Sequence, residues 1–289
     1  MKHVTVLPME FEKCILEIID EKKKMYDLGA AFPNPLLRDD VLNLLDLFCT
    51  VVYYPLDNEK NNGFHMTNIP LANGEQKDFV FINTAQTIEK QVFTAAHELG
   101  HIWNIDDAVL QKVELNDTPE NRELIINRFA AVLLIPEEIF KKYLSLNFRK
   151  LSNTSGEITI LNMLRLIVLL MNQFFVPRKS IVLRMVELGV LDPKPADILL
   201  GYGEIPDSKI DDVVEALIAE YGFTKFQNPS RKKWIEGLSE LLEKAETDQL
   251  LPQEKIEHMR NTFDISAPKP ITEGLNHVVS LSTQEGLDS

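Results

Sequence analysis

The sequence predicts an α+β fold, in which a small antiparallel sheet packs on helices and a helical C-terminal region follows. Two observations support this class. Three short β-like runs lie close together within residues 50–84, and most of the remaining chain carries apolar residues at helical spacing. The composition, 45% hydrophobic and 26% charged over 289 residues, is typical of one large globular domain or two small ones.

The elements follow in chain order from the same patterns. Apolar spacing predicts a helix over 8–28, closed by Gly29, and a second helix from Pro35 to Phe48. Asn, Gly and Asp in the linkers then predict an antiparallel meander with strands at 50–56, 63–69 and 78–84. Helical periodicity returns afterwards, with helices expected at 87–103, 120–134, 137–148, 158–174 and 178–189.

A change in composition predicts a domain boundary after residue 200. Pro193, Pro195 and the glycines of LGYGEIP (200–206) interrupt the helical pattern, so we expect one domain over 1–200 and an acidic helical extension over 204–289. Amphipathic helices are expected in the extension at 208–221 and 230–246. About the last 25 residues mix Pro, Ser, Thr and Gly, which is typical of a flexible tail.

Bulk charge and cysteine content exclude several classes of protein. A net charge of −14 disfavours direct nucleic-acid binding, because phosphate repels such a surface. The two cysteines lack CxxC spacing, and the N-terminus has no apolar run of signal-peptide length, so a reducing cytoplasm is expected. Residues 158–176 are long enough to span a bilayer, but Arg165 near their middle favours a buried core helix and no membrane partner.

The stretch FTAAHELGH, residues 93–101, carries the strongest chemical signal. His97 and His101 lie four residues apart on the predicted helix, so both imidazoles can reach one cation. Zinc accepts such nitrogen ligands, and Glu98 beside them can act as the general base. The strand just before this helix, DFVFINT (78–84), is expected to present an edge to which a peptide substrate could add.

A catalytic zinc site needs a third protein ligand, and two candidates compete. Asp107 lies six residues after His101, with Asn104 at the turn position of the metzincin pattern. Glu123 lies on the next strongly apolar helix, where an unpaired carboxylate is unexpected. Asn127, one turn after Glu123, could hydrogen-bond a ligating histidine and fix its tautomer. The chemistry of the residues favours Glu123 and leaves Asp107 as the alternative.

These two motifs together resemble the ImmA/IrrE metallopeptidases. That family pairs an HExxH helix with a later E-x-x-A-N-x-F-A-x-x-L-L-M-P helix, and this chain has E-x-x-x-N-R-F-A-A-V-L-L-I-P over 123–136. Ile126 and Ile135 replace the alanine and methionine of the pattern. The resemblance covers residues 10–192 and includes a helix-turn-helix-like segment at about 158–191. It implies a zincin-like, gluzincin-type site with His97, His101 and Glu123 as Zn²⁺ ligands.

The resemblance also implies a biological role. It suggests an endopeptidase that cuts a helix-turn-helix transcriptional repressor and so derepresses its genes, with that DNA-binding protein as the partner. The alternative is a non-catalytic module of the same fold that sequesters a regulator. The weaker candidates for oxyanion stabilisation are His65, Tyr53 and Tyr54, and sheet packing is the simpler interpretation of each.

Overall fold

The computed structural model describes residues 6–31, 36–58, 61–70, 74–202, 205–223 and 229–265. They form two compact units, Met1–Glu236 and Gly237–Ser289. The predicted α+β class is confirmed.

The helices of the first unit make up most of its described residues. They are α1 (Met9–Met25), α2 (Asp40–Asp46), α3 (Ile88–Ile102), α4 (Ile105–Leu110), α5 (Pro119–Leu134), α6 (Glu137–Leu151), α7 (Ile160–Phe174), α8 (Arg178–Glu187), α9 (Pro193–Leu199) and α10 (Asp207–Glu220). Its strands are β1 (Thr50–Tyr54), β2 (Gly63–Pro70), β3 (Gln76–Asn83) and β4 (Trp234–Ile235). The second unit contains α11 (Leu238–Thr247) and α12 (Gln253–Thr262).

The sheet is mixed, with strand order β2-β3-β1-β4. β3 pairs antiparallel with β2, but β1 pairs parallel with β3, in the register Thr50↔Phe79 to Tyr54↔Asn83. The predicted antiparallel meander is therefore wrong for β1. The three central residues of β1 are buried, whereas β2 is largely exposed, so burial favours β1 inside the sheet and β2 at its edge. DFVFINT, which forms most of β3, has neighbours on both sides and no free edge.

Local signals explain where the two central helices begin. α5 starts with Pro119 after Thr118, whose hydroxyl oxygen accepts a hydrogen bond from the backbone N–H of Asn121 at 3.2 Å. α7 starts in the same way, with Thr159 accepting from the N–H of Asn162 at 3.2 Å. Both caps satisfy backbone donors that a helix leaves unpaired, so both helix starts are well defined.

α3 and α5 pack face to face in the core, and Gly100 makes their approach possible. A Cβ atom at Gly100 would lie 2.8 Å from Phe129 Cδ1 and 3.2 Å from Ile126 Cγ2. No side chain larger than hydrogen fits there without a shift of one helix. Phe129 and Ile126 are fully buried, so the two helices that carry the predicted site are held together by close apolar packing.

A buried ionic network joins α1, α5 and α8. The carboxylate of Glu12 accepts from Arg128 Nη2 at 2.9 Å and from Arg184 Nη1 and Nη2 at 2.7 and 2.6 Å. Arg184 also donates to the carbonyl oxygen of Ile135 at 3.1 Å. All three charged side chains are at most 3% exposed, so each depends on the others for compensation of its charge.

Several predicted elements differ from the observed ones. The second helix is only Asp40–Asp46, and the call on 32–35 lies outside the described residues. The helix expected at 230–246 is instead the short strand β4 followed by α11, because Trp234 and Ile235 pair with β1. α4, α9 and α12 were not predicted, and the tail from 266 onward lies outside the described residues.

The first unit extends beyond the expected boundary between 200 and 204. α10 packs against α7, and β4 joins the sheet, so both belong to the unit that ends at Glu236. Two separate functional domains remain a prediction.

Across the described ranges, no single helix is long and apolar enough to cross a membrane. α7 and α8 pass that test only as a pair, and they are bent by 101° at the break between them. The α7 residues that face the core, among them Leu166, Ile167 and Leu170, are fully buried inside the protein.

Candidate metal centre

The helix α3 brings His97 and His101 together, one turn apart on the same face. The two Nε2 atoms lie 3.2 Å apart, and the ring centroids are 4.9 Å apart. Burial and the neighbouring His101 lower the pKa of His97, which favours its neutral form. Neutral imidazoles with two nitrogen atoms directed at one point are suited to binding a cation.

Glu123 on α5 completes a group of three donor residues. Its Oε2 lies 3.4 Å from His97 Nε2, and its Oε1 lies 3.7 Å from His101 Nε2. The donor atoms of the three residues all lie within 4.8 Å of one another. Two imidazoles and one carboxylate are a typical donor set of catalytic zinc sites, so these residues fit the metal that the sequence predicts.

Asn127 lies one turn after Glu123 on α5 and contacts the same histidine. Its Oδ1 is 3.2 Å from Nδ1 of His97. An N–H at Nδ1 that donates to this amide leaves Nε2 with its lone pair free. Asn127 therefore favours the tautomer of His97 in which Nε2, the atom close to Glu123, can bind a metal.

Glu98 lies between the two histidines in sequence and is only 6% exposed. Burial, with a smaller contribution from the negative charge of Glu123, raises the pKa of Glu98 to about 7. A carboxyl group with a pKa near neutrality can both accept and return a proton, as a general base requires.

A comparison with protein families identifies this arrangement. Residues 46–185 match the family model described as the IrrE N-terminal-like domain, a peptidase family. These residues form a domain of the ImmA/IrrE family. The match contains the whole of α3 and α5, with His97, Glu98, His101 and Glu123. No curated protein matches the chain.

In this ImmA/IrrE domain, Asp107 lies away from the histidine pair's carboxylate partner. Asn104 does adopt the left-handed conformation expected of it, with φ 52°. The turn is followed by α4, in which Asp107 Oδ1 accepts from Arg122 Nη1 at 2.7 Å. Asp106 and Asp117 accept from the same guanidinium at 2.6 Å each. Asp107 therefore has an ion-pair partner, whereas Glu123 contacts both histidines.

His65 on β2 is the one weaker candidate that the fold brings close to the metal centre. Its ring centroid is 6.4 Å from that of His101, and its Nε2 lies 3.9 Å from Asp78 Oδ2 on β3. Sequence reasoning missed Asp78, since an acidic residue at the start of a strand gives no signal of its own. Tyr53 instead donates from its hydroxyl to Asp46 at 3.3 Å, and Tyr54 follows it at the end of β1.

The helix-turn-helix-like segment consists of α7 and α8, and its basic residues are committed to internal contacts. Arg184 belongs to the Glu12 network. Arg178 pairs with Asp207 and Asp211, and Lys179 pairs with Asp207 at 2.8 Å. This supports the packing role expected for the segment.

Proposed function

We propose that this protein is a zinc-dependent endopeptidase of the ImmA/IrrE type. The observation that carries the proposal is the placement of the donor atoms of His97, His101 and Glu123 within 4.8 Å of one another, with the buried carboxyl of Glu98 on the same helix. Membership of a peptidase family supports the same reaction class.

The residues of the chain divide the chemistry among them. His97, His101 and Glu123 hold the metal, and Asn127 orients His97. Zinc, when bound, supplies Lewis-acid chemistry that activates water and polarises the scissile carbonyl group. Glu98 takes a proton from the attacking water and delivers it to the leaving amine. The pKa of about 7 suits both transfers, because the two protonation states are then close in free energy.

The proposed substrate is a helix-turn-helix repressor, cut in the cytoplasm so that its genes are derepressed. The net charge of −14 supports a basic DNA-binding partner. We place the substrate backbone along the outer side of β2, which is the edge strand next to the metal centre. His65 of this strand lies beside His101, and the rest of β2 is largely exposed.

The first experiment measures zinc per chain by elemental analysis. We expect about one zinc in the wild type and a loss of roughly tenfold or more in affinity for Glu123→Ala, because one of three protein ligands is removed. Glu120→Ala is the matched control, since Glu120 is an exposed carboxylate in the first turn of the same helix. Zinc retained by Glu123→Ala at wild-type affinity would shift the assignment to Asp107.

The second experiment separates catalysis from simple binding. The zinc-loaded protein is incubated with the helix-turn-helix regulator encoded beside it, and the products are analysed by mass spectrometry. We expect one discrete cut by the wild type and none by Glu98→Gln, which still binds both zinc and regulator. If Glu98→Gln relieved repression as well as the wild type, the sequestering module would be the correct function.

A further inference from the structure

The first unit contains a cavity of about 1090 Å³ that the proposed reaction does not use. It lies among α3, α5, α7, α8 and α10. Most of its wall is apolar, with Phe93, Leu124, Met171, Val214 and Ile218 among the lining side chains. This volume is at the upper end of the range for small-molecule sites, and the apolar wall is typical of them.

Two buried arginines give this cavity donors that have no acceptor. Arg128 and Arg178 both line it and are 2% and 4% exposed. The Nε atoms of both lack a hydrogen-bond partner among the described residues. The rest of each guanidinium is committed: Arg128 pairs with Glu12 and Glu187, and Arg178 pairs with Asp211 and with Asp207. A buried N–H without a partner is costly, so these atoms favour an acceptor from outside the chain.

Other lining groups also offer donors rather than acceptors. Ser180, in the first turn of α8, is buried and lines the cavity, and that helix starts without a side-chain cap and without an acidic residue in its first turn. Glu89 is 6% exposed, and its Oε2 has no partner in the described part of the chain. Burial raises the pKa of Glu89, which favours the protonated form that can donate.

The charged groups that remain exposed among the lining residues balance one another. They are Lys90, Lys179, Asp211 and Glu215. The buried part of the lining therefore decides which ligand fits. It combines apolar side chains with unmatched donors, so a fitting ligand has an apolar body and an acceptor-rich head group.

We propose that this cavity binds a small molecule with an apolar body and a carboxylate head, whose oxygens accept from the Nε atoms of Arg128 and Arg178. The cavity also reaches Asn127, whose Oδ1 contacts His97. A ligand that contacts Asn127 acts on the orientation of a proposed zinc ligand. Binding itself does not depend on the proposed protease function, whereas this coupling to the metal centre rests on it.

The test of binding uses calorimetry with the metal-free, full-length chain, and decanoate as the probe. Decanol is the matched neutral compound, with the same chain length and no carboxylate. We expect decanoate to bind and decanol to bind about tenfold more weakly or less, because a charge-assisted hydrogen bond contributes roughly that factor. No decanoate binding, or equal binding of the two compounds, would overturn the proposal.

Two variants assign the binding to this cavity. Arg178→Lys keeps the positive charge for Asp207 and Asp211 but removes the Nε donor, so we expect about tenfold weaker decanoate binding. Arg165→Lys is the matched control, since Arg165 lies on α7 outside the cavity lining, and it should bind decanoate as the wild type does. Val214→Phe fills part of the cavity and should weaken decanoate and decanol alike. Wild-type affinity in both Arg178→Lys and Val214→Phe would place the ligand elsewhere and overturn the assignment.

The coupling is measured by chelator competition for zinc with and without decanoate. Thermodynamic linkage requires that decanoate change zinc affinity by the same factor as zinc changes decanoate affinity. Equal zinc affinity in both conditions would overturn the coupling. Failure of zinc to bind at all would contradict the proposed function while leaving the decanoate measurement valid, so the two failures are distinguishable.

Discussion

At the scale of single residues, Gly100 controls the distance between the two helices that carry the candidate metal ligands. Gly100→Ala should gain about 1 kcal/mol of helix propensity, but the 2.8 Å contact of the new Cβ with Phe129 forces α3 and α5 apart. We expect a net loss of about 1–3 kcal/mol in the free energy of unfolding, as is usual for overpacking in a core. Urea denaturation measures it.

The control for this substitution is Gly29→Ala, where a Cβ atom meets no atom within 4 Å. It should leave the free energy of unfolding within about 0.5 kcal/mol of the wild type. Equal stability of the two alanine variants would show that the α3–α5 contact relaxes without cost.

Asp46 is the residue for which the structure predicts a pH effect on stability. Burial raises its pKa to about 6, with the negative charge of Glu236 adding to the rise and the hydrogen bond from Tyr53 opposing it. The folded state then binds a proton more tightly than the unfolded state, whose carboxyl has its ordinary value of 3.8. Stability from this group is therefore present at low pH and is lost as pH rises from about 4 to about 6.

Asp46→Asn removes this ionisation and keeps an acceptor for Tyr53. We expect the variant to be about 1 kcal/mol more stable than the wild type near pH 7, after allowance for solvent screening of a half-buried group, and to differ little near pH 4. Thermal denaturation across this range measures the difference. Asp20→Asn, an exposed carboxylate on α1, should show no such crossover.

Residue spacing predicted much of the candidate site. His97 and His101 are linked by the helix period, and both do lie on one face. Glu123 and Asp107 could not be separated by spacing alone, because the choice depends on whether the chain turns back or continues to the next helix. Arg122, which binds Asp107, was not identified as its partner, since a surface arginine has many acidic neighbours in an acidic chain.

At the scale of secondary-structure elements, the Glu12 network predicts how α1, α5 and α8 depend on one another. Glu12→Gln leaves Arg128 and Arg184 buried without their shared carboxylate. We expect a loss of about 3–5 kcal/mol in the free energy of unfolding, since an uncompensated buried charge is costly. Glu17→Gln, an exposed glutamate on the same helix, is the control and should change stability by less than about 0.5 kcal/mol.

The pH dependence provides a second check on Glu12. Burial alone would raise its pKa, but Arg184 and Arg128 together lower it below the ordinary value of 4.5. Stability from this carboxylate is present above that value and is lost as pH falls through the lowered pKa. The difference between wild type and Glu12→Gln should therefore shrink on acidification, and a constant difference would contradict the ion-pair account.

Helices were more predictable than strand pairing. The positions of α1, α3, α5, α6, α7, α8 and α10 follow from apolar periodicity, which is a local property of the sequence. The parallel pairing of β1 with β3 depends on which strand is buried on both faces, and that is decided by the whole molecule. β4 has only two residues, so no periodicity could identify it.

At the scale of the whole molecule, the compact units predict where the chain can be cut. A protein that ends at Glu236 keeps α10 and β4, whereas one that ends at Leu200 loses both. We expect the longer fragment to unfold cooperatively and to bind zinc as the full chain does. The shorter one should be destabilised by several kcal/mol, because Ile210, Val214 and Leu217 leave the core.

Circular dichroism during urea unfolding, with zinc content of each fragment, measures this difference. A fragment ending at Leu200 that matched the longer one in both would support the boundary predicted from the sequence at 200–204.

The strand order has a consequence for synthesis of the protein on the ribosome. β2 and β3 are neighbours in the chain and in the sheet, so they can pair as soon as both have emerged. β1 joins β3 across the intervening strand, but its other side is paired with Trp234 and Ile235. That side of the nascent sheet therefore stays open until translation is four-fifths complete, and a chaperone that binds extended apolar segments has its longest access there.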